Sequence, residues 1–385
     1  ESVLLDYVPF IVLLLGLFVV AGGIALKGTL VGTTKVNAIL LLIGTVLASW
    51  IGTTGAAMLL IRPLIRANAW REKKVHVIVF FIFLVANMGG CLTPLGDPPL
   101  FMGFQRGVPF TWTFHLLPIL LLNLVLVFGI FIFIDRKFYK KEIAAGRSPQ
   151  DMIGNDTKEP IRIEGAHNLI FIAMIILGVV ASGVLPQMFD FFADGAGIHV
   201  YDAVVFPYAV IVEIVLILLA CFLSLKTTKK STRELNEFSY APIEEVAKLF
   251  IGIFITMIPA LALLKVHGGQ LGLDQPWQMF WCTGLLSSFL DNTPTYLVFL
   301  QTAGALGQAG IETTVGSVSQ LMLEAISAGA VFMGANTYIG NAPNFMVKSI
   351  AEENRIKMPS FFGYMAWSFG ILIPVFIIDT IVFFL

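Results

Sequence analysis

Continuous apolar runs at 8–26, 116–134, 168–185, 203–225 and 361–385 constrain this chain more than any other feature. Each is close to the roughly 20 residues with which an α-helix crosses about 30 Å of hydrocarbon. No water reaches that depth, so a spanning segment must satisfy its own main-chain groups, which leaves helices and closed barrels. The runs lack the alternation that barrel strands require, and this excludes a transmembrane β-barrel. Only 13% of the 385 residues are charged, about half the usual share in a soluble domain. The expected fold class is an all-α polytopic membrane protein, multi-pass in the cell (inner) membrane, with the lipid bilayer as a partner.

A formal net charge of −1 creates no field for nucleic acid. Cys91, Cys221 and Cys282 are far apart in apolar context and read as buried small hydrophobes, not metal ligands. There is no His-Glu-x-x-His helix, P-loop or nucleophile elbow, and no cofactor is expected. Two intramembrane aspartates could suggest an aspartyl protease. However, Pro94-Leu-Gly-Asp97 lacks the first glycine of a Gly-x-Gly-Asp element, and Tyr201-Asp202 falls at an outer loop boundary. An enzyme is therefore not expected.

Crossing helices are expected near 8–27, 75–102, 114–134, 167–185, 203–225, 246–265, 317–348 and 361–384. The apolar segments 36–66 and 277–302 are interrupted and read as two re-entrant hairpins. With that arrangement 22 of the 24 Lys and Arg fall on one side, leaving Arg106 and Lys265 opposite. The basic-rich side is then cytoplasmic. The polar stretch 135–166 becomes a cytoplasmic linker with solvated charges. Asp190, Asp194, His199 and Asp202 are expected in water on an outer loop, Arg62 as an interfacial anchor, and Glu213 and Asp379 as structural groups.

An internal repeat refines this picture. Gly90-Cys-Leu-Thr-Pro-Leu-Gly-Asp-Pro-Pro-Leu-Phe-Met102 matches Gly334-Ala-Asn-Thr-Tyr-Ile-Gly-Asn-Ala-Pro-Asn-Phe-Met346 in register. Upstream, Gly52-Thr-Thr-Gly aligns with Asp291-Asn-Thr-Pro, pairing Thr54 with Thr293. Each half thus holds a hairpin followed by a broken helix, with opposite orientation in the membrane, an inverted repeat of the kind many secondary transporters use. The halves run 1–134 and 167–385. The second begins with two helices that lack counterparts before Val8, so about two more helices are expected upstream of Glu1.

Pro94, Pro98 and Pro99 cannot donate main-chain hydrogen bonds and exclude regular helix, while Gly89, Gly90 and Gly96 permit unusual dihedrals. Such breaks expose carbonyls to cations and helix N-termini to anions. Asp97 and Asp291 fall inside the motif pairs at midplane depth, where a charge is costly and marks function or a helix cap. The expected ion or substrate ligands are Asp97, Asp291, Asn292, Thr293, Thr53, Thr54, Thr93, Gly96, Asn336, Thr337, Gly340 and Asn341. Na⁺ is expected on Asp97 and Asp291.

These elements resemble the ion transporter superfamily, which includes dicarboxylate symporters, arsenite pumps and sodium/proton antiporters. Asp291-Asn-Thr-Pro is similar to the Asp-Asn-Ile-Pro of NhaD-type antiporters, and Thr93-Pro-Leu-Gly-Asp97 to their Ser/Thr-Pro-Ile-Gly-Asp element. The Ser-Asn-Thr tips of dicarboxylate symporters are absent, although the chain also resembles citrate transporters. The resemblance implies a homodimer with a scaffold and a mobile transport domain working as an elevator. The leading expectation is Na⁺/H⁺ antiport, with Na⁺ and H⁺ as transported or coupling ions. Na⁺- or H⁺-coupled transport of citrate or another organic anion is the alternative, and arsenite export ranks third.

Overall fold

The computed structural model describes residues 3–149, 159–193, 195–201 and 204–385. Asp194 and Asp202 lie outside the described residues; Asp190 and His199 are exposed, as their expected solvation requires. The fold is all-α and polytopic. The first half holds α1 (Val8–Ala21), α2 (Thr34–Ile51), α3 (Thr53–Ala67), α4 (Val75–Leu84), α5 (Pro98–Gln105) and α6 (Leu117–Ala144). The second holds α7 (Asn168–Met188), α8 (Tyr208–Thr227), α9 (Lys230–Leu235), α10 (Ala241–His267), α11 (Pro276–Ser287), α12 (Asn292–Gly304), α13 (Gln320–Met333), α14 (Ala342–Glu353) and α15 (Phe361–Asp379). Short antiparallel pairs join β1 (Ala25–Lys27) to β2 (Arg162–Glu164), β3 (Gly197–Tyr201) to β4 (Val204–Pro207), and β5 (Ile311–Thr313) to β6 (Gly316–Val318).

Among the described residues, eight helical stretches are long and apolar enough to cross a membrane. Residues 317–348 form the expected broken helix, with α13 and α14 as half-helices separated by the second break. Helix α2, at 18 residues, meets the length and apolarity of a span. Even so, it turns back at Gly52 into α3 (φ 79°, ψ 150°), a conformation available to glycine. The pair is a hairpin whose open end is clamped by Asn37 and Asn68, each amide donating to the other's Oδ1 at 2.9 and 2.8 Å. The second hairpin is α11 and α12.

Burial follows hydrophobic patterning. The segment Val-His-Val-Ile-Val-Phe-Phe-Ile-Phe-Leu of α4 is apolar on nearly every face, and His76–Leu84 are all buried at the centre of the molecule. The outer helices α6 and α7 instead present large apolar side chains outward, including Val125, Phe133 and Leu177. That pattern suits hydrocarbon as the outer solvent.

The polar stretch expected from residue 135 as a linker begins later than its composition suggested. Helix α6 runs on to Ala144, and Asp135 is fully buried instead of solvated. Its Oδ1 accepts from Arg71 Nη1 at 2.5 Å and lies 2.8 Å from His76 Nε2. The Arg71 guanidinium also lies over the Trp70 and Tyr139 rings, and His76 stacks on Phe138. A buried guanidinium is tolerated only when paired, and this cluster joins the α3–α4 connection to α6. Arg62, expected as an interfacial anchor, is 9% exposed and ion-paired to Glu237 at 2.8 Å. Asp379 is buried and accepts from the Asn123 amide at 2.8 and 2.9 Å, a structural contact between α6 and α15.

Replacing Asp135 by Ala strands Arg71 in the interior and is expected to cost about 3–5 kcal/mol. The loss should appear as a lower unfolding temperature of the purified protein, and an unchanged midpoint would refute the cluster's structural weight.

Candidate functional site

The two breaks share one geometry. In the first, α4 ends at Leu84, a short 3₁₀ turn covers Met88–Leu92, and α5 restarts at Pro98. In the second, α13 gives way to a 3₁₀ turn at Gly334–Asn336 and α14 restarts at Ala342. Thr93 (φ −140°, ψ 158°) and Thr337 (φ −136°, ψ 169°) occupy equivalent extended positions. So do Asp97 (φ −141°, ψ 138°) and Asn341 (φ −153°, ψ 138°).

The same clasp holds each break to its hairpin. The Thr93 hydroxyl donates to the Ser49 carbonyl, and the Thr337 hydroxyl to the Ser288 carbonyl. In return Thr93 Oγ1 accepts from the Leu95 amide at 3.1 Å, and Thr337 Oγ1 from the Ile339 amide at 3.2 Å. Main-chain groups that a continuous helix would have paired internally are satisfied this way, since lipid offers no alternative. The two threonine side chains are therefore engaged by the scaffold of the break. Gly96 and Gly340 let the strands cross: a Cβ on either would run into the carbonyl of Gly90 or Gly334 respectively.

At the centre lies Asp97, 1% exposed. It occupies the position just before α5, where an aspartate commonly caps the helix. It makes no side-chain cap bond: Pro98 and Pro99 have no N–H to offer, and the Leu100 amide donates to the Asp97 carbonyl at 3.0 Å. Its carboxylate turns instead to three neutral donors from separate elements. Thr53 Oγ1 of the first hairpin tip donates to Oδ1 at 3.2 Å, and Asn292 Nδ2 of the second tip to Oδ2 at 2.6 Å. Asn341 Nδ2, from the second break, donates to Oδ1 at 3.2 Å. Thr53 and Asn292 are counterparts in the repeat, as are Asp97 and Asn341. Repeat-equivalent residues of both halves therefore meet in this cluster.

Asp291 behaves differently. Half-buried, it caps α12 through a 3.0 Å bond from the Thr293 amide, and it has no hydrogen bond to Asp97 among the described residues. The Thr293 hydroxyl lies 3.5 Å from Asn292 Oδ1, and Thr54 is half-buried without a side-chain hydrogen bond. Asn336 donates to Ser288 Oγ at 2.9 Å, while its buried Oδ1 has no partner.

Sequence reasoning missed Asn87 and Asn344. Asn87 Nδ2 donates to Asn344 Oδ1 at 2.7 Å, and its Oδ1 accepts from Asn341 at 3.3 Å, tying the two breaks together. Asn344 lay inside the second repeat motif opposite Leu100, and Asn87 just upstream of Gly89-Gly90. A buried asparagine at a helix break was the available signal.

Four half-helices, α3, α5, α12 and α14, begin at this point, so four positive N-terminal ends converge around one buried carboxylate. Carboxylate and hydroxyl oxygens suit a hard cation; the carboxamides can donate or accept, and the helix ends favour an anion. No Lys, Arg or His donates to Asp97.

An all-α polytopic membrane protein whose two broken helices and hairpin tips meet at a polar centre is built as a transporter. Residues 1–384 match the family model described as "Putative citrate transport", and the chain belongs to that family. It is accordingly a multi-pass membrane transporter. No curated protein matches the chain.

Gly96→Ala and Gly340→Ala each force a methyl against main chain, and each is expected to destabilise by at least the about 1–3 kcal/mol of ordinary overpacking. Gly370→Ala on α15, where a Cβ would meet nothing within 4 Å, should be neutral or stabilising. Thermal melts of the three variants check this; equal midpoints for all three would contradict the crossing geometry.

Proposed function

We propose that this chain is a secondary active carrier of citrate or a closely related organic anion, coupled to Na⁺ or H⁺. What carries the reading is the convergence of Thr53, Asn292 and Asn341 on buried Asp97 at the starts of four half-helices. A cation or proton on Asp97 neutralises the carboxylate, leaving the helix ends and carboxamides to attract a substrate carboxylate. Without that cation the like charges repel, so the anion is admitted only with its coupling ion. Asp97 is the first ligand, and Asp291, Thr54, Thr293, Asn336 and the carbonyls around Gly96 and Gly340 are proposed to complete the site. Thr93 and Thr337 position it.

Membership of the wider ion transporter superfamily, an inner-membrane location, a homodimer and elevator-type alternating access belong to the same proposal. The family match supports the substrate class.

One observation favours a second reading, Na⁺/H⁺ antiport. Asp97 receives only neutral donors, so no basic side chain competes with a cation there.

Proteoliposomes separate the two. Labelled citrate uptake driven by an inward Na⁺ or H⁺ gradient is expected for the protein, and loss of uptake to the level of empty vesicles for Asp97→Asn. Na⁺-dependent dequenching of a trapped pH dye in the absence of citrate, without any citrate uptake, would replace the first reading by the second.

A further inference from the structure

A cavity of about 1220 Å³ lies apart from the Asp97 cluster, between the far ends of α5 and α12 and the helices α7, α8 and α10. Its walls include both Arg106 and Lys265, the two basic residues that charge sorting leaves on the outer side. Arg106 is held by Asp6 at 2.8 Å. Lys265 is exposed and has no ion pair among the described residues.

Two buried side chains on the same walls each keep one polar atom without a hydrogen-bond partner, although Ser182 reaches the Glu213 carboxyl. Glu213 is 2% exposed, and its Oε1 accepts no hydrogen bond. Gln301 is 7% exposed, and its Nε2 donates none. Leaving such a group unsatisfied costs about 1–3 kcal/mol, so its persistence facing a cavity points to a ligand or water that completes it. The unmet needs are specific. Gln301 Nε2 requires an acceptor, which a carboxylate supplies, and the Lys265 ammonium on the same cavity wall favours an acceptor that is anionic. Glu213 Oε1 requires a donor, which a hydroxyl or protonated carboxyl supplies.

We propose that this cavity is a second binding site, an outer recognition site for a hydroxylated polycarboxylate that is distinct from the Asp97 cluster. The inference rests on the organic-anion reading above and names the side chains that select the substrate on the way in. Helix α5 leads from Asp97 to Phe104 in the cavity wall, seven residues and about 10 Å along the axis, so the two sites lie on one path.

The test uses the full chain in nanodiscs, with labelled citrate for equilibrium binding and proteoliposomes for uptake. Citrate binding should persist in Asp97→Asn. On that background Lys265→Ala and Gln301→Leu should each weaken it about tenfold, with Lys265→Arg restoring most of the loss. Tricarballylate, which is citrate without its hydroxyl, should bind more weakly than citrate, and Glu213→Leu should erase that preference. Lys265 is exposed, so its variants keep the fold, which the size-exclusion profile and melting temperature verify. Wild-type uptake of citrate with unaltered binding in the Lys265 and Gln301 variants would overturn the outer site alone. Citrate binding that depends on Lys265 and Gln301 but is never followed by uptake would uphold the outer site and overturn the transport reading. Loss of all citrate binding in Asp97→Asn would merge the two sites into one and overturn this inference.

Discussion

A helix interrupted in the middle of a bilayer leaves main-chain donors and acceptors that hydrocarbon cannot satisfy. In this protein a threonine clasp answers that constraint twice. Thr93 reaches the Ser49 carbonyl and Thr337 the Ser288 carbonyl, each threonine also accepting from an amide two residues on. These clasps fasten each break to the tip region of its hairpin. Because hairpin and break are fastened, α3, α5, α12 and α14 all start within one polar centre. The glycines at 96 and 340 serve the same end by allowing the chain to cross its own carbonyls.

From that scaffold the chemistry of the centre follows. Two consecutive prolines remove the first two amides of α5, the third donates to the Asp97 carbonyl, and the carboxylate is left for the hairpin tips. Burying a carboxylate is expensive unless hydrogen bonds compensate, and Thr53, Asn292 and Asn341 supply them without adding charge. A neutral shell of this kind leaves the site responsive to whatever cation or proton arrives. Gly52, the counterpart of Asp291 in the repeat, carries no carboxylate, so the pseudo-symmetric halves are chemically unequal. The acidic group that bonds to both tips comes from the first half alone.

Outside the centre, charge is managed by pairing. Arg71 is paired with Asp135, whose carboxylate was expected in water, and the nearly buried Arg62 with Glu237. In the outer cavity, Glu213 and Gln301 each hold one unpartnered polar atom on the wall of an open space.

The primary structure alone determined the class, the two hairpins, the two breaks and their repeat, because these follow from local chemistry. Apolar length sets a span, proline and glycine end a helix, and basic residues sort to one side. Asp97 was legible as a midplane acid for the same reason. Which acids are free and which are structural was decided only by tertiary contacts. Asp291 turned out to cap α12, Asp97 did not cap α5, and Asp135 left the solvent for Arg71. Asn87 and Asn344, far apart in the chain, acquired meaning only when the fold brought them within 2.7 Å. A polar side chain's role depends on which partner meets it in space, and residue type and spacing do not encode that partner.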